Sequence, residues 1–169
     1  PVIHTDDTTI KVLAPGHGKT RTGRFWVYAA DPRVWAGSGP PAAFYRYSPD
    51  RDGERPRAHL AGFSGFLHAD AYAGYGALYR SSGQLAPRVT HVACFAHARR
   101  KFFEVWEATK SPIAEEAVRR IAKLYEIEAE IVGRDADVRL AARRTRSQPL
   151  LDEFHSWANA QRRRVSGKT

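Results

Sequence analysis

Near residue 95 the hydrophobic pattern of this 169-residue chain changes period, and that change limits the folds open to it. Upstream, short runs rich in Thr, Val, Ile, Phe and Tyr alternate with stretches of Gly, Pro and Asp. "VIHTDDTTIKVL" predicts a strand, "APGHGKTRTG" a turn, and "RFWVYAAD" a second strand. In the second strand Phe25, Val27 and Ala29 share one face, and Trp26, Tyr28 and Ala30 share the other. "AAFYRYS" predicts a third strand, so the first three form an antiparallel meander. A short helix near 57–61, a short strand in "GFLHAD", a helix opening in "AYAGYGALYR" and a strand in "RVTHVACFA" follow. Downstream the spacing is helical. "HARRKFFEVWEATK" starts the helical part, and "SPIAEEAVRRIAKLYEIEAEIVG" has Ser111 as N-cap, Pro112 at the first helical position and Gly133 as C-cap. Its apolar face is expected at Ala114, Val118, Ile121, Tyr125 and Val132. "ADVRLAARRTRS" and "QPLLDEFHSWANAQRRR" predict further helices.

Three strands, helix, strand, helix, strand and then helices is the order of an α/β (α+β) chain. The arrangement expected is a ribonuclease-H-like mixed sheet with flanking helices over residues 1–110, followed by a helical insertion over 111–169.

An apolar fraction of 43% is enough for a packed core. Lys and Arg number 27 against 18 acids, a formal charge of +9. That excess points to a polyanionic partner, nucleic acid first, with a solvated basic surface as the plainer alternative. The single cysteine, Cys94, rules out an intrachain disulfide and fits a reducing cytoplasm. No apolar run approaches the roughly 18–20 residues that cross a bilayer, and no signal peptide is visible. The chain starts at Pro1 and has no Met, so it is expected to be an excerpt of a longer protein.

Two carboxylates, Asp6 and Asp7, stand side by side inside the first strand, where Asp is disfavoured. Burying a charge is costly unless it is paired or binds a metal. Mg²⁺ takes oxygen ligands, often one or two carboxylates plus substrate phosphates, and would offset that cost. A salt bridge to an arginine, or an exposed position beside a turn, would do so as well. Asp70 follows the short strand of "GFLHAD", where an acid can project from a strand end or cap the segment that follows; the two readings are compatible. Cys94 and His97 are three apart, but no second cysteine exists for a structural zinc site. Arg99, Arg100 and Lys101 begin a helix and could either grip phosphates or form a solvated basic face.

Several stretches in register carry a resemblance: "HTDDTTIKVL", "GKTRTGRFWVY", "YSPDR", "HLAGFSGFLHADAYAGY", "VACFAHARRKFF" and "IAKLYEIE". Together they resemble the IS66 family of bacterial insertion-sequence transposases. The resemblance implies a DDE-type catalytic domain on a ribonuclease-H-like fold. Where the family reads Asp-Glu-Thr this chain has Asp6-Asp7-Thr8, so the first catalytic acid maps to Asp6 and Asp7 stands where the family has Glu. The second maps to Asp70. Cys94 and His97 are similar to a signature after the second acid, which makes His97 an accessory residue. Phe95 stands where the family often has Trp.

The third acid is implied in an Asn-Asn…Glu-Arg segment. This chain has no Asn-Asn pair, so that acid and the C-terminal part of the core are expected beyond Thr169. Glu128 is the one internal substitute worth naming, and it falls on the apolar helix face, where a buried arginine partner is the alternative reason for an acid. The resemblance further implies Mg²⁺ or Mn²⁺, two ions in the complete site, held by Asp6 and Asp70. It implies DNA as partner, through Arg99, Arg100 and Lys101 among others, a homo-oligomer at the transposon ends, and a bacterial cytoplasmic, nucleoid-associated location. Phosphodiester cleavage and strand transfer would then belong to the full-length protein, with this segment alone inactive. An inert DNA-binding remnant and another ribonuclease-H-like nuclease are the competing readings.

Overall fold

The structure, a computed structural model, describes residues 1–35, 37–80 and 87–165. The alternating β-branched and aromatic runs pair as the sequence predicts. Strands β1 (Val2–Val12), β2 (Arg21–Ala30) and β3 (Ala42–Ser48) form an antiparallel meander. Strand β4 (Gly65–Ala69) pairs parallel to β1, and β5 (Val89–Ala93) parallel to β4. The result is a five-stranded mixed sheet in the order β3-β2-β1-β4-β5, with β1 at its centre. A central strand is flanked by pairing on both sides, so its residues are held in fixed register: Asp7 opposite Trp26 on β2, and His4 opposite His68 on β4.

Helix α1 (Glu54–His59) connects β3 to β4. Between β4 and β5 the segment predicted to open a helix is instead a 3₁₀ stretch, Ala73–Tyr79. Gly74 and Gly76 explain the difference, because two glycines in three residues remove the propensity that would extend an α-helix. Gly65 opens β4 with φ +144°, and a Cβ there would lie 2.4 Å from the carbonyl oxygen of Pro1. The start of β1 and the start of β4 therefore approach more closely than any other residue would allow.

The sheet unit has one core. Trp26 and Tyr28 on β2 pack with Leu67 and Ala69 on β4, Val89 on β5, Leu60 after α1 and Tyr75 in the 3₁₀ stretch. Several buried polar side chains are paired, while Tyr79 Oη has no hydrogen-bond partner among the described residues. Trp26 Nε1 donates to Ser48 Oγ at 2.8 Å, and Ser48 Oγ donates to the Asp50 carbonyl at 2.6 Å. Thr5 Oγ1 and Tyr75 Oη share a hydrogen bond of 3.3 Å, and Tyr28 Oη lies 2.9 Å from His59 Nδ1.

The chain divides into two compact units, Pro1–Cys94 and Phe95–Thr169. Helix α2 (Phe95–Thr109), which the sequence division assigned to residues 1–110, groups with the later helices. In that second unit α3 (Pro112–Ile131) packs against α2 and against α5 (Gln148–Arg164). Ser111 Oγ accepts the Ala114 N–H as the expected N-cap, Pro112 takes the first position, and Gly133 follows the helix at φ +75°. The buried face of α3 is rotated from the expected one: Ala114, Ala117, Ile121, Ile127 and Ile131 are buried, whereas Tyr125 and Val132 are exposed. Helix α4 (Ala136–Ala142) leads into α5 through a π-helical turn, Arg143–Ser147. Among the described residues no helix is long and apolar enough to cross a membrane.

Partial burial lowers the pKa of His59, and the nearby Arg46 and Arg55 act in the same direction. A lowered folded-state pKa means the unfolded chain binds the proton more readily. The stability contributed by neutral His59 is complete above its ordinary value, near 6.5, and is lost as the pH falls below it. Urea unfolding at about pH 7.5 and about pH 5 tests this: the wild-type chain should lose more stability between the two than His59→Gln, and equal losses would contradict it.

Candidate acidic site on β1 and β4

Strand alternation sends Asp6 and Asp7 to opposite faces of the sheet. Asp7 takes the face of Trp26, Thr5 and the core. Its side chain is 1% exposed, and two guanidinium groups hold it. Arg24 on β2 donates from Nη1 to Oδ2 at 2.8 Å. Arg51, in the loop between β3 and α1, donates from Nη2 to Oδ1 at 2.7 Å and from Nε to Oδ1 at 2.9 Å. Of the three explanations open for this acid, the salt bridge is the one the structure supplies.

Asp6 is on the other face and exposed. Its Oδ1 accepts the N–H of Asp7 at 2.8 Å. On the same face of β1, His4 meets His68 of β4, with Nδ1 to Nδ1 at 2.8 Å, one imidazole donating and the other accepting. Asp70 follows β4 directly, and its Oδ1 accepts the N–H of Tyr72 at 3.0 Å, the capping role open to it in the sequence. β1 and β4 run parallel with His4 opposite His68, and Asp6 and Asp70 each lie two residues further along. Asp6, inside β1, is thus level with Asp70, which lies just past the end of β4.

The three carboxylates act on a common neighbour. Burial pushes the Tyr75 phenol well above its usual value, and Asp7, Asp70 and Asp6 push it the same way, against the Thr5 hydrogen bond. Burial, then Asp70, raises Tyr79 to about 12. Arg51 spans two of the acids: its Nη2, bonded to Asp7, is 3.8 Å from Asp70 Oδ2. The Asp7 hydrogen bond raises the Arg51 pKa, burial opposes it, and Asp7, Asp70 and Tyr72 add smaller upward contributions.

The donor chemistry of Asp6 and Asp70 suits a hard divalent ion. Each carboxylate accepts one backbone N–H hydrogen bond, with Arg51 also 3.8 Å from Asp70, which leaves oxygen lone pairs, and Mg²⁺ is commonly held by only one or two carboxylates with water and phosphate completing the shell. A third protein ligand is not supplied: among the described residues no group of three or more His, Cys, Asp or Glu is set to hold a metal. Glu128, the internal substitute named from sequence, bonds Arg143 through both oxygens at 2.8 and 2.7 Å, and that pairing lowers its pKa.

The remaining candidates lie on α2. His97 has a buried Nδ1 without a hydrogen-bond partner among the described residues. Arg99, Arg100 and Lys101 are exposed; Arg100 and Lys101 share Glu104, at 3.9 and 3.1 Å. Sequence reasoning missed Arg24, Arg51 and Tyr72. A signal for them existed: alternation from Trp26 puts Asp7 on the core side, where a carboxylate requires cationic partners.

A profile of the Transposase IS66 family matches residues 1–169. Among curated relatives, the chain is 43% identical over 176 aligned positions to the uncharacterized protein y4hP of Sinorhizobium fredii, covering 97% of this chain and 31% of that protein. It is 40% identical to the uncharacterized protein y4jD of the same organism, covering 91% of this chain and 30% of that protein. To the uncharacterized protein y4qI, also from that organism, it is 33% identical, covering 99% and 31%. The chain thus spans about a third of the length of the curated relatives it matches.

The opposite placement of the adjacent acids predicts unequal effects on stability. Asp7→Ala leaves two half-buried guanidinium groups without their carboxylate and should cost about 2–4 kcal/mol in urea unfolding. Asp6→Ala should change stability by less than about 0.5 kcal/mol. Equal losses in the two variants would mean that the strand does not divide the pair between its faces.

Proposed function

Because the chain belongs to the Transposase IS66 family, we propose that it is part of the catalytic core of a DDE-type DNA transposase with a ribonuclease-H-like fold. One observation carries the assignment of its acids: β1 and β4 are parallel neighbours, and Asp6 inside β1 is level with Asp70 just past the end of β4. A topology that joins them through the central strand lets two carboxylates, 64 residues apart in sequence, serve one phosphate.

Asp6 and Asp70 supply carboxylate oxygens for Mg²⁺ or Mn²⁺. When bound, such ions make an oxygen nucleophile more acidic and stabilise the leaving oxygen of a phosphodiester. The residues around the acids orient them. The N–H of Tyr72 fixes one oxygen of Asp70, and the N–H of Asp7 fixes one oxygen of Asp6. The reaction is two successive exchanges at phosphorus. Water displaces the 3′ oxygen at a transposon end and leaves a free 3′-hydroxyl. The first step thus hydrolyses one phosphodiester to a 3′-hydroxyl and a 5′-phosphate; in the second that hydroxyl displaces a 3′ oxygen in target DNA, so one phosphodiester forms as one breaks.

The third acid belongs to the part of the protein outside residues 1–169. Glu128 is committed to Arg143, which speaks against an independent nuclease completed from within this chain. Arg99, Arg100 and Lys101 are assigned to DNA backbone contacts. Their support is exposure and an excess of two positive charges over the shared Glu104. The assembly expected is an oligomer holding the transposon ends.

The test is cleavage of a supercoiled plasmid carrying the element's ends by the full-length protein in Mg²⁺. Asp6→Asn and Asp70→Asn should each lower cleavage by at least about 10³-fold while the unfolding midpoint stays near wild type. A fully active Asp6→Asn protein would overturn the assignment of the first acid.

A further inference from the structure

Arg51 is the cation nearest Asp70, and everything around it fixes its position. Its Nε and Nη2 bind the buried Asp7, its guanidinium carbon is 4.1 Å from the centroid of the Tyr72 ring, and Tyr72 Oη donates to its carbonyl oxygen. The loop that carries it is braced on either side. Asp50 accepts from Arg55 at 2.8 and 3.0 Å, which brings the Asp50 carboxyl down to about 2, and Asp52 Oδ1 accepts the N–H of Glu54 at 2.9 Å.

The partners of Arg51 leave part of its guanidinium free. Its Nη1 edge has no partner among the described residues, and its side chain is 37% exposed. The approach to Asp70, 3.8 Å, is too long for a hydrogen bond, so Asp70 is neutralised at a distance but not occupied. The formal charges point the same way. Asp6, Asp7 and Asp70 exceed Arg24 and Arg51 by one negative charge, which a single divalent ion would turn into one positive charge facing solvent.

We propose that Arg51, held in place by Asp7 and Tyr72, binds a non-bridging oxygen of the DNA phosphate that approaches Asp70. The proposal rests on the DNA-processing reading above and adds a residue to it. Asp7 is then a positioning residue: its buried carboxylate takes one edge of the guanidinium and turns the other outward. A planar fork can serve a carboxylate and a phosphate at once, whereas a lysine ammonium engaged by Asp7 has no second edge to offer.

The test is duplex binding by the full-length protein that carries these 169 residues. Fluorescence anisotropy with a duplex of about 20 base pairs, between about 50 and about 200 mM salt, gives the slope of log affinity against log salt. Arg51→Lys keeps a charge on Asp7, so its thermal midpoint should fall less than that of Arg51→Gln, and the slope should shrink by about 0.9, the loss of one phosphate contact. Arg51→Gln should show the same slope loss together with a lower midpoint. A second measurement uses the wild-type protein alone: the Nε–H resonance of Arg51 should shift on titration with the same duplex. An unchanged slope in Arg51→Lys, or an Arg51 resonance indifferent to DNA, overturns the assignment while leaving the DNA reading intact. A wild-type protein that does not bind duplex at all overturns both.

Discussion

The buried carboxylate of Asp7 is the constraint around which the sheet unit is organised. A charge removed from water is tolerable only when its partners are close and well directed, and Asp7 meets that condition with two guanidinium groups from different elements. Arg24 brings β2 to it, and Arg51 brings the loop after β3. Tyr72, beyond β4, stacks on Arg51 and ties the same loop from the other side. One carboxylate on the central strand thereby fixes the relation of β1, β2, the β3–α1 loop and the end of β4. Its contribution to stability lies less in net attraction than in the penalty for every arrangement that leaves one of these charges buried alone.

The aromatic core serves the same end of the sheet. Trp26 lies directly opposite Asp7 in the β1–β2 register, and its indole N–H is satisfied by Ser48 at the close of β3. Tyr72 and Tyr75 contact Trp26 ring to ring, with Tyr75 reaching Thr5. The 3₁₀ stretch that follows Asp70 is therefore anchored in the core, and Asp70 is positioned by rigid surroundings on both sides. A longer α-helix in its place would carry its side chains away from the sheet after one turn. The short 3₁₀ form returns Tyr75 to the sheet only five residues after Asp70.

Much of this was legible in the sequence, and the exceptions share a cause. The strands, the Ser111 cap, Pro112 and the glycine after α3 follow from local chemistry, which a single segment contains in full. The expectation that Asp6 and Asp70 belong together came from the family resemblance, not from the local setting of either acid. What was not legible depends on partners distant in sequence. Arg51 is 44 residues from Asp7, and nothing local distinguishes it from Arg55 or Arg57, whose acids are close by. The buried face of α3 was misjudged for a related reason. Two of the apolar residues assigned to it, Tyr125 and Val132, lie off the stripe that α2 and α5 cover, and periodicity alone does not say which of two overlapping stripes is covered.

Two neighbouring acids on one strand are never redundant, because the pleat separates them. Asp6 and Asp7 differ by one position in sequence and by a whole face in space. One is exposed beside the His4–His68 pair and free to bind a cation from solvent. The other is sealed against the core and binds cations that the chain itself provides. A one-residue slip of β1 would exchange these roles, exposing the arginines' partner and burying a carboxylate with none. The same two ion pairs that hold Asp7 therefore also hold the register that keeps Asp6 in line with Asp70.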